Sequence, residues 1–254
     1  MLIDLHMHTS RYSNCGKATP EEMAEAAIAA GLDAIVLTEH DRVWPMAEAR
    51  ALNRRYPQIR VFRGVEAYSD GSRADIVVLG VLEWTQPGGV LRPHEIVRLV
   101  HGLGGVAILA HPFRLVGSIP GELLLAPPDA YAVGSLNMPV FARERARLLE
   151  RLFPAALQVM ASDAHQTAGV GAYAIELDGD VANEAELASA VAAGEFRLSF
   201  DRERLRERAP HWQRIQERIG TLASVGASFR QIREETGYHK ALVRHVMAGG
   251  DLRR

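Results

Sequence analysis

The sequence predicts an α/β fold: a (β/α) barrel of about seven strand–helix units, followed by a small all-α module. Three observations carry this expectation. Short apolar runs alternate with helical patterns over the first two hundred residues. Several of those runs are almost continuously apolar, as strands buried on both faces are. Composition then shifts near residue 200: residues 1–200 hold 17 basic and 24 acidic side chains, whereas residues 201–254 hold 12 and 7.

In chain order, the expected strands are Leu2–Leu5, Ala34–Leu37, Val61–Val65, Ile76–Val81, Val106–Leu109, Ala132–Leu136 and Leu157–Met160. Helical patterns lie between some of them. The clearest starts at Thr19, which can cap the helix while Pro20 takes its first position. Glu22, three residues after the cap, completes a capping box, and Gly31 stops the helix. Strands alternating with helices favour a parallel sheet with right-handed crossovers, and about seven units favour closure into a barrel. The domain boundaries follow: residues 1–200 form the barrel, residues 201–212 a charged linker or linker helix, and residues 213–254 the terminal module.

Composition narrows the function. With 254 residues, 48% of them apolar, the chain can bury a sizeable core. A net charge of −2 argues against a general polyanion binder. Cys15 is the only cysteine, so no intrachain disulfide forms, which suits a reducing compartment. No run is long enough to span a bilayer, and the first residues do not read as a signal peptide. The expectation is a soluble cytoplasmic protein without a membrane partner.

Polar residues that do not belong in a core gather at the strand ends. The first strand ends in Asp4-Leu5-His6-Met7-His8, and alternation puts Asp4, His6 and His8 on one face. That pair of imidazoles suits either a cation or ordinary hydrogen bonds. The second strand ends in Thr38-Glu39-His40-Asp41, where Asp41 could also serve as a helix cap beside a packed His40. Glu66 ends the third run, where a carboxylate is poorly solvated unless paired or metal-bound. His111 follows the fifth strand, and Asp163 and His165 follow the last. Each position has an ordinary explanation alone. Five apolar runs that each end in a metal-ligand type point to one divalent-metal site at converging strand ends. The donors mix His with Asp and Glu, which suits zinc, manganese or iron in a catalytic site better than a closed structural zinc.

In order along the chain, the motifs DLHMHTS, LTEHD, GVE, AHP and ASDAH resemble those of the PHP (polymerase and histidinol phosphatase) superfamily. The resemblance covers residues 1 to about 175. Amidohydrolase barrels share the opening HxH but not the TEHD and SDAH elements in this order. The resemblance implies a distorted seven-stranded barrel, up to three clustered metals, and phosphoester hydrolysis. It implies that His6, His8, Glu66 and Asp163 hold one metal, that Glu66 and His111 hold a second, and that His40 and His165 hold a third. The sequence departs from the family pattern at Ser13-Asn14-Cys15, where a His or Asp is common. It departs again between Val77 and Leu82, where a His is common and Asp75 or Glu83 are the nearest substitutes.

Two residues are expected to act beside the metals. Arg114 follows His111 closely and can grip a phosphoryl group in bidentate fashion, or else pair with a surface carboxylate. Asp41, or Asp4, can orient a ligating histidine. Asn137 at the end of the sixth strand is placed to line the pocket, while Arg11, Lys17 and Arg42 rim its mouth. The expected substrate is a small phosphorylated metabolite or a nucleotide.

Residues Gln213–Met247 read as three short helices. Ile215, Ile219 and Leu222 mark the first, Ser228 caps the second, and Gly237 turns the chain into the third at His239–Met247. The run from Gly226 to Tyr238 resembles helix-turn-helix domains of bacterial regulators and recombinases. That resemblance implies DNA as a partner, with Tyr238, His239, Lys240 and Arg244 on or beside the recognition helix. A three-helix bundle equally suits capping the barrel or pairing two copies of the chain. Two further functional readings follow: a DNA-associated nuclease or end-processing phosphatase, and a non-catalytic sensor controlling the DNA-binding module.

Overall fold

The computed structural model describes residues 1–70, 74–85, 89–114 and 118–252. Ten strands are present among them: β1 (Leu2–Met7), β2 (Ala34–Leu37), β3 (Arg60–Arg63), β4 (Val65–Ala67), β5 (Ile76–Leu79), β6 (Val106–Leu109), β7 (Ala130–Gly134), β8 (Leu157–Met160), β9 (Tyr173–Leu177) and β10 (Phe196–Phe200). They form two five-stranded sheets, ordered β10-β9-β1-β2-β3 and β4-β5-β6-β7-β8. The single closed parallel barrel expected from the strand count is therefore corrected to a mixed α/β fold with two sheets.

The physical reasons are local. The run Val61–Val65 divides at Gly64, where the chain leaves one sheet for the other. A Cβ there would stand 3.0 Å from Val36 Cγ1 and 3.0 Å from the Val78 carbonyl oxygen, so glycine permits the passage. β5 runs antiparallel to both β4 and β6, which a reading based on parallel crossovers does not anticipate. β9 and β10 add an antiparallel pair beyond β1.

The two sheets meet at single bridges on both seams. Met7 pairs with Ala164 on one side, and His40 pairs with Glu66 on the other. The Asp163 amide donates to the His6 carbonyl at 2.9 Å, and the Asp41 amide donates to the Glu66 carbonyl at 2.9 Å. Both seams therefore lie where the conspicuous histidines and carboxylates stand.

Among the described residues, eight α-helices accompany the strands: α1 (Pro20–Ala29), α2 (Met46–Arg55), α3 (Pro93–Gly102), α4 (Val140–Ala146), α5 (Glu184–Ala193), α6 (Arg202–Ser224), α7 (Phe229–Thr236) and α8 (Lys240–Met247). The capping box at α1 forms: Glu22 N–H donates to Thr19 Oγ1 at 3.2 Å, and Thr19 N–H donates to Glu22 Oε2 at 2.7 Å. α1 buries Met23, Ala24 and Ala27 with Met7, Ile35 and Leu37 of the first sheet. Ile3, Leu5, Val36, Phe62, Ile108 and Val159 fill a core that joins both sheets. Each such buried side chain contributes about 1.5–3 kcal/mol. Together they fix the strand ends that carry the polar cluster.

Residues 202–212 belong to the helix α6, which runs unbroken to Ser224. Its apolar stripe, Ile215, Ile219 and Leu222, packs with Ile232 of α7 and with Leu242 and Val243 of α8. Phe141 of α4 joins that cluster and stacks on His245 with ring centroids 4.2 Å apart. Among the described residues, no helix is long and apolar enough to cross a membrane.

Candidate metal centre

β1 presents His6 and His8 on one face, with their Nε2 atoms 3.0 Å apart. Glu66 of β4 lies against both. Its Oε2 is 3.3 Å from His6 Nε2, 3.0 Å from His8 Nε2 and 3.2 Å from His40 Nδ1. Its Oε1 faces a different residue, His111 Nε2, at 2.9 Å. Asp163 closes the other side. Its Oδ1 is 3.4 Å from His8 Nε2, 3.5 Å from His6 Nε2 and 3.6 Å from His165 Nδ1. The rings of His40 and His165 flank that of His8, with centroids 4.5 and 4.6 Å away. All seven side chains expected as donors are thus brought together.

Two more donors join them. Asp75 groups with Glu66 and His111, and Cys15 groups with His8 and His40, each set within 4.8 Å. Asp75 stands immediately before β5. Because β5 is antiparallel to its neighbours, its beginning, not its end, lies at the site. Sequence reasoning places the missing ligand between Val77 and Leu82 and names Asp75 only as a nearby substitute.

The supporting residues take different parts. Asn137 Nδ2 donates to Asp163 Oδ2 at 2.7 Å and to the Asp163 carbonyl at 3.1 Å. Arg114 Nη1 stands 3.9 Å from Asp163 Oδ2. Asp41 is not among the residues whose donors gather here. Its Oδ1 accepts the Tyr68 amide at 2.9 Å, which holds the chain beyond β4. Asp4 accepts the amides of Ser162 at 2.9 Å and Gly171 at 3.1 Å, so it fastens the segment that carries Asp163. Of the rim cations, Arg11 pairs with Glu48 at 3.3 Å, Arg42 stacks 3.8 Å above the Tyr12 ring, and the Lys17 amide donates to the His165 carbonyl at 2.7 Å.

The backbone is strained at these positions. Among the described residues, four non-glycine residues have positive φ: Asp41 (50°), His111 (27°), Phe113 (62°) and Asp163 (53°). Such conformations cost about 1–3 kcal/mol each and persist where the surroundings hold them. His111 and Asp163 reach the cluster through them.

Electrostatics follow from burial and contact. Burial alone would raise Glu66, but His6, His111 and His8 hold it well below the usual carboxylate range. Asp163 is likewise lowered, against its burial, by His6, His8 and His111. Burial disfavours charge on His8, yet Asp163 and Glu66 push it well above its usual value. His111 is raised in the same way, chiefly by Glu66. Burial lowers His40, and it lowers His165 to about 4. Asp75 is pushed up to about 6 by burial and then by the Glu66 charge.

These residues fit divalent cations. Around a cation with bonds of ~2.1 Å, neighbouring ligand atoms stand roughly 3.0–3.4 Å apart. The separations of Glu66 Oε2 from His6 and His8 Nε2 match that spacing, at 3.3 and 3.0 Å. Asp163 Oδ1 and Asp75 Oδ1 are buried with no hydrogen-bond partner, so both have lone pairs left to give. The set is all nitrogen and carboxylate oxygen apart from Cys15, which suits zinc, manganese or iron.

Comparisons with known proteins bear on the family and the fold. The PHP domain model matches residues 4–164, and the PHP-associated model matches residues 158–196. No curated protein matches. Among solved structures, PsfC from Pseudomonas syringae superposes with a TM-score of 0.60 at 20% identity, over 81% of this chain and 93% of its own. A protein of Bifidobacterium adolescentis, described as an inferred metal-dependent phosphoesterase, gives 0.53 at 15% identity, over 74% and 95%. A two-domain protein of Bacteroides vulgatus containing a predicted PHP-like metal-dependent phosphoesterase gives 0.58 at 17% identity, over 79% and 64%. At these identities the likeness is one of fold.

Proposed function

The chain belongs to the PHP domain family, and from that premise we propose that it is a metal-dependent phosphoesterase acting on a small phosphorylated metabolite or a nucleotide. One observation carries the reading. The two oxygens of Glu66 face different histidines, three on one side and His111 on the other. A carboxylate so placed can serve two cations at once, which a neutral imidazole cannot do.

His6, His8, Glu66 and Asp163 would hold one cation. Glu66, His111 and Asp75 would hold a second, and His40 and His165 are the donors available for a third. Divalent cations held there supply Lewis acidity toward phosphoryl oxygens and a nucleophilic water at neutral pH. His40 and His165 are lowered by burial, so at neutral pH they offer lone pairs in place of added positive charge. Arg114, one-third exposed beside Asp163, turns a guanidinium toward the phosphoryl group and stabilises charge on its oxygens. Asn137 keeps Asp163 Oδ2 occupied and so directs Oδ1 toward the histidines.

A degenerate, non-catalytic sensor site would follow from a lack of any ligand where the family has its His between Val77 and Leu82. Asp75 supplies a carboxylate at that side, which favours hydrolysis. The test is elemental analysis of untagged protein together with an aryl phosphate assay in added manganese, on wild type and on His8→Ala. Two or more metals per chain, with activity lost in the variant, is the expected result. One metal or none, and no activity in either protein, would overturn the proposal.

A further inference from the structure

The rings of His8 and His40 stack with centroids 4.5 Å apart, and both reach Glu66 Oε2. They belong to different strand ends, so something must hold the two ends in register. Their chain neighbours do so. Thr9 follows His8, Glu39 precedes His40, and these two residues bond to each other. The Thr9 amide lies 3.2 Å from both carboxyl oxygens of Glu39, and the Thr9 hydroxyl donates to Oε1. The Glu39 carbonyl accepts the Glu66 amide at 3.1 Å. Glu39 is therefore tied to the segments that carry His8, His40 and Glu66. Ser13 Oγ lies 3.3 Å from His8 Nδ1 and 3.3 Å from the His40 amide. Its own amide donates to the Thr9 carbonyl at 3.2 Å, so its place also depends on Thr9.

The environment of Glu39 is unusual. The residue is wholly buried, and among the described residues it takes part in no ion pair. A buried carboxyl without a cation is costly unless hydrogen bonds satisfy it. The donor that completes the set is the Trp44 indole, whose Nε1 lies 3.0 Å from Glu39 Oε1. Trp44 is itself buried and fastened from behind. Its ring meets that of Tyr12 edge-on, with centroids 5.2 Å apart. Its carbonyl accepts Arg63 Nη1 at 3.3 Å, and Arg63 Nε donates to Glu184 of α5 at 2.8 Å. The indole N–H is thus a fixed point against which the Glu39 carboxyl is set. Asp41, the acid expected to steady His40, is engaged with the Tyr68 amide instead.

We propose that Glu39, steadied by the Trp44 indole, is a positioning residue that sets His8 and His40 at the spacing a cation requires. The inference rests on the metal-dependent reading above and deepens it. Neither residue is among the grouped metal donors. They act through the ligands, as outer partners of metal-binding side chains do.

The test uses the full chain, stripped of metal and titrated with cobalt(II). The visible bands of the bound ion report affinity and ligand geometry together. Trp44→Phe keeps an aromatic ring and removes only the N–H donor. It should weaken cobalt binding by roughly 10–100-fold and shift the bands. Glu39→Ala should weaken it at least as much, and Glu39→Gln, which keeps the shape, should fall between Glu39→Ala and wild type. Adding Trp44→Phe to Glu39→Ala should cost nothing further, because the indole acts through that carboxyl. Thermal melts of the metal-free variants separate this role from a structural one. A lower melting temperature with wild-type affinity and bands would overturn the proposal, as would fully additive losses in the double variant. If wild type itself binds no cobalt, the metal-dependent reading falls together with this one. If wild type binds and the variants match it, only the positioning role falls.

Discussion

Asn137 holds Asp163 at two points, its side-chain amide donating to the carboxylate at 2.7 Å and to the carbonyl of the same residue at 3.1 Å. Asp163 itself sits at φ 53°, so the grip stabilises a conformation that an aspartate seldom adopts. Asn137→Ala should lower metal affinity or activity by roughly 10–100-fold, as loss of a ligand's supporting partner commonly does. Asn137→Asp should do worse, because it places a second negative charge where a donor stood. Metal titration of both variants checks this. Wild-type affinity in Asn137→Ala would refute it.

The two faces of Glu66 predict a graded loss of metal. His111→Ala removes a donor on the Oε1 side only, so one bound cation should be lost and another retained. Glu66→Gln weakens both sides and should reduce the content further. Elemental analysis of the two variants, side by side with wild type, measures the difference. Equal metal content in the two variants would refute a shared carboxylate.

Metal uptake should release protons. Without a cation, Glu66 and Asp163 keep His8 and His111 protonated above the usual imidazole range, against the effect of burial. Binding requires the neutral rings. Affinity should therefore rise with pH through and beyond the ordinary histidine range, and level off only above the raised values. Calorimetry in two buffers of different ionisation enthalpy reads the released protons directly. A pH-independent affinity between mildly acidic and mildly alkaline conditions would contradict it.

Asp4 should impose an opposite dependence on stability. Burial raises it from 3.8 to about 6 in the folded chain. The protonated form is thus the better folded form, and its contribution is complete below the unfolded value and lost as pH rises through the folded one. The difference amounts to about 3 kcal/mol. Wild type should lose stability relative to Asp4→Asn between pH about 4 and about 6. The hydrogen bonds changed by the substitution shift that comparison by a constant and leave its slope intact. Urea melts in chelator across this range provide the check, and parallel curves would refute the assignment.

The clustering of these candidate ligands was largely legible in the sequence because they follow apolar strands. β2, β6 and β8 fall on Ala34–Leu37, Val106–Leu109 and Leu157–Met160, the runs expected from composition. His6, His8, His40, Glu66, His111, Asp163 and His165 then converge at their ends. Strand direction was less legible. β5 is antiparallel, so its site residue, Asp75, precedes the strand. β10, Phe-Arg-Leu-Ser-Phe, alternates apolar and polar residues and could have been found by that signal. β9 carries only one exposed residue, Glu176, in an otherwise buried run, and gives little alternation to detect. Asp41 is expected to support His40 because it adjoins it. Its positive φ and its bond to the Tyr68 amide are three-dimensional facts with no trace in residue order.

The seams between the sheets give the centre a second meaning. His6, His8 and His40 come from the first sheet or its immediate extension. Glu66, Asp75, His111 and Asp163 come from the second. Among the described residues, strand-like pairing joins the two at Met7–Ala164 and His40–Glu66. A cation shared by Glu66 and His8 would therefore rivet one half of the molecule to the other, and its binding energy would be spent on cohesion as well as chemistry. For such a chain, removing a cation held there would loosen the pairing at residues 40, 66 and 163 as well as stop the chemistry.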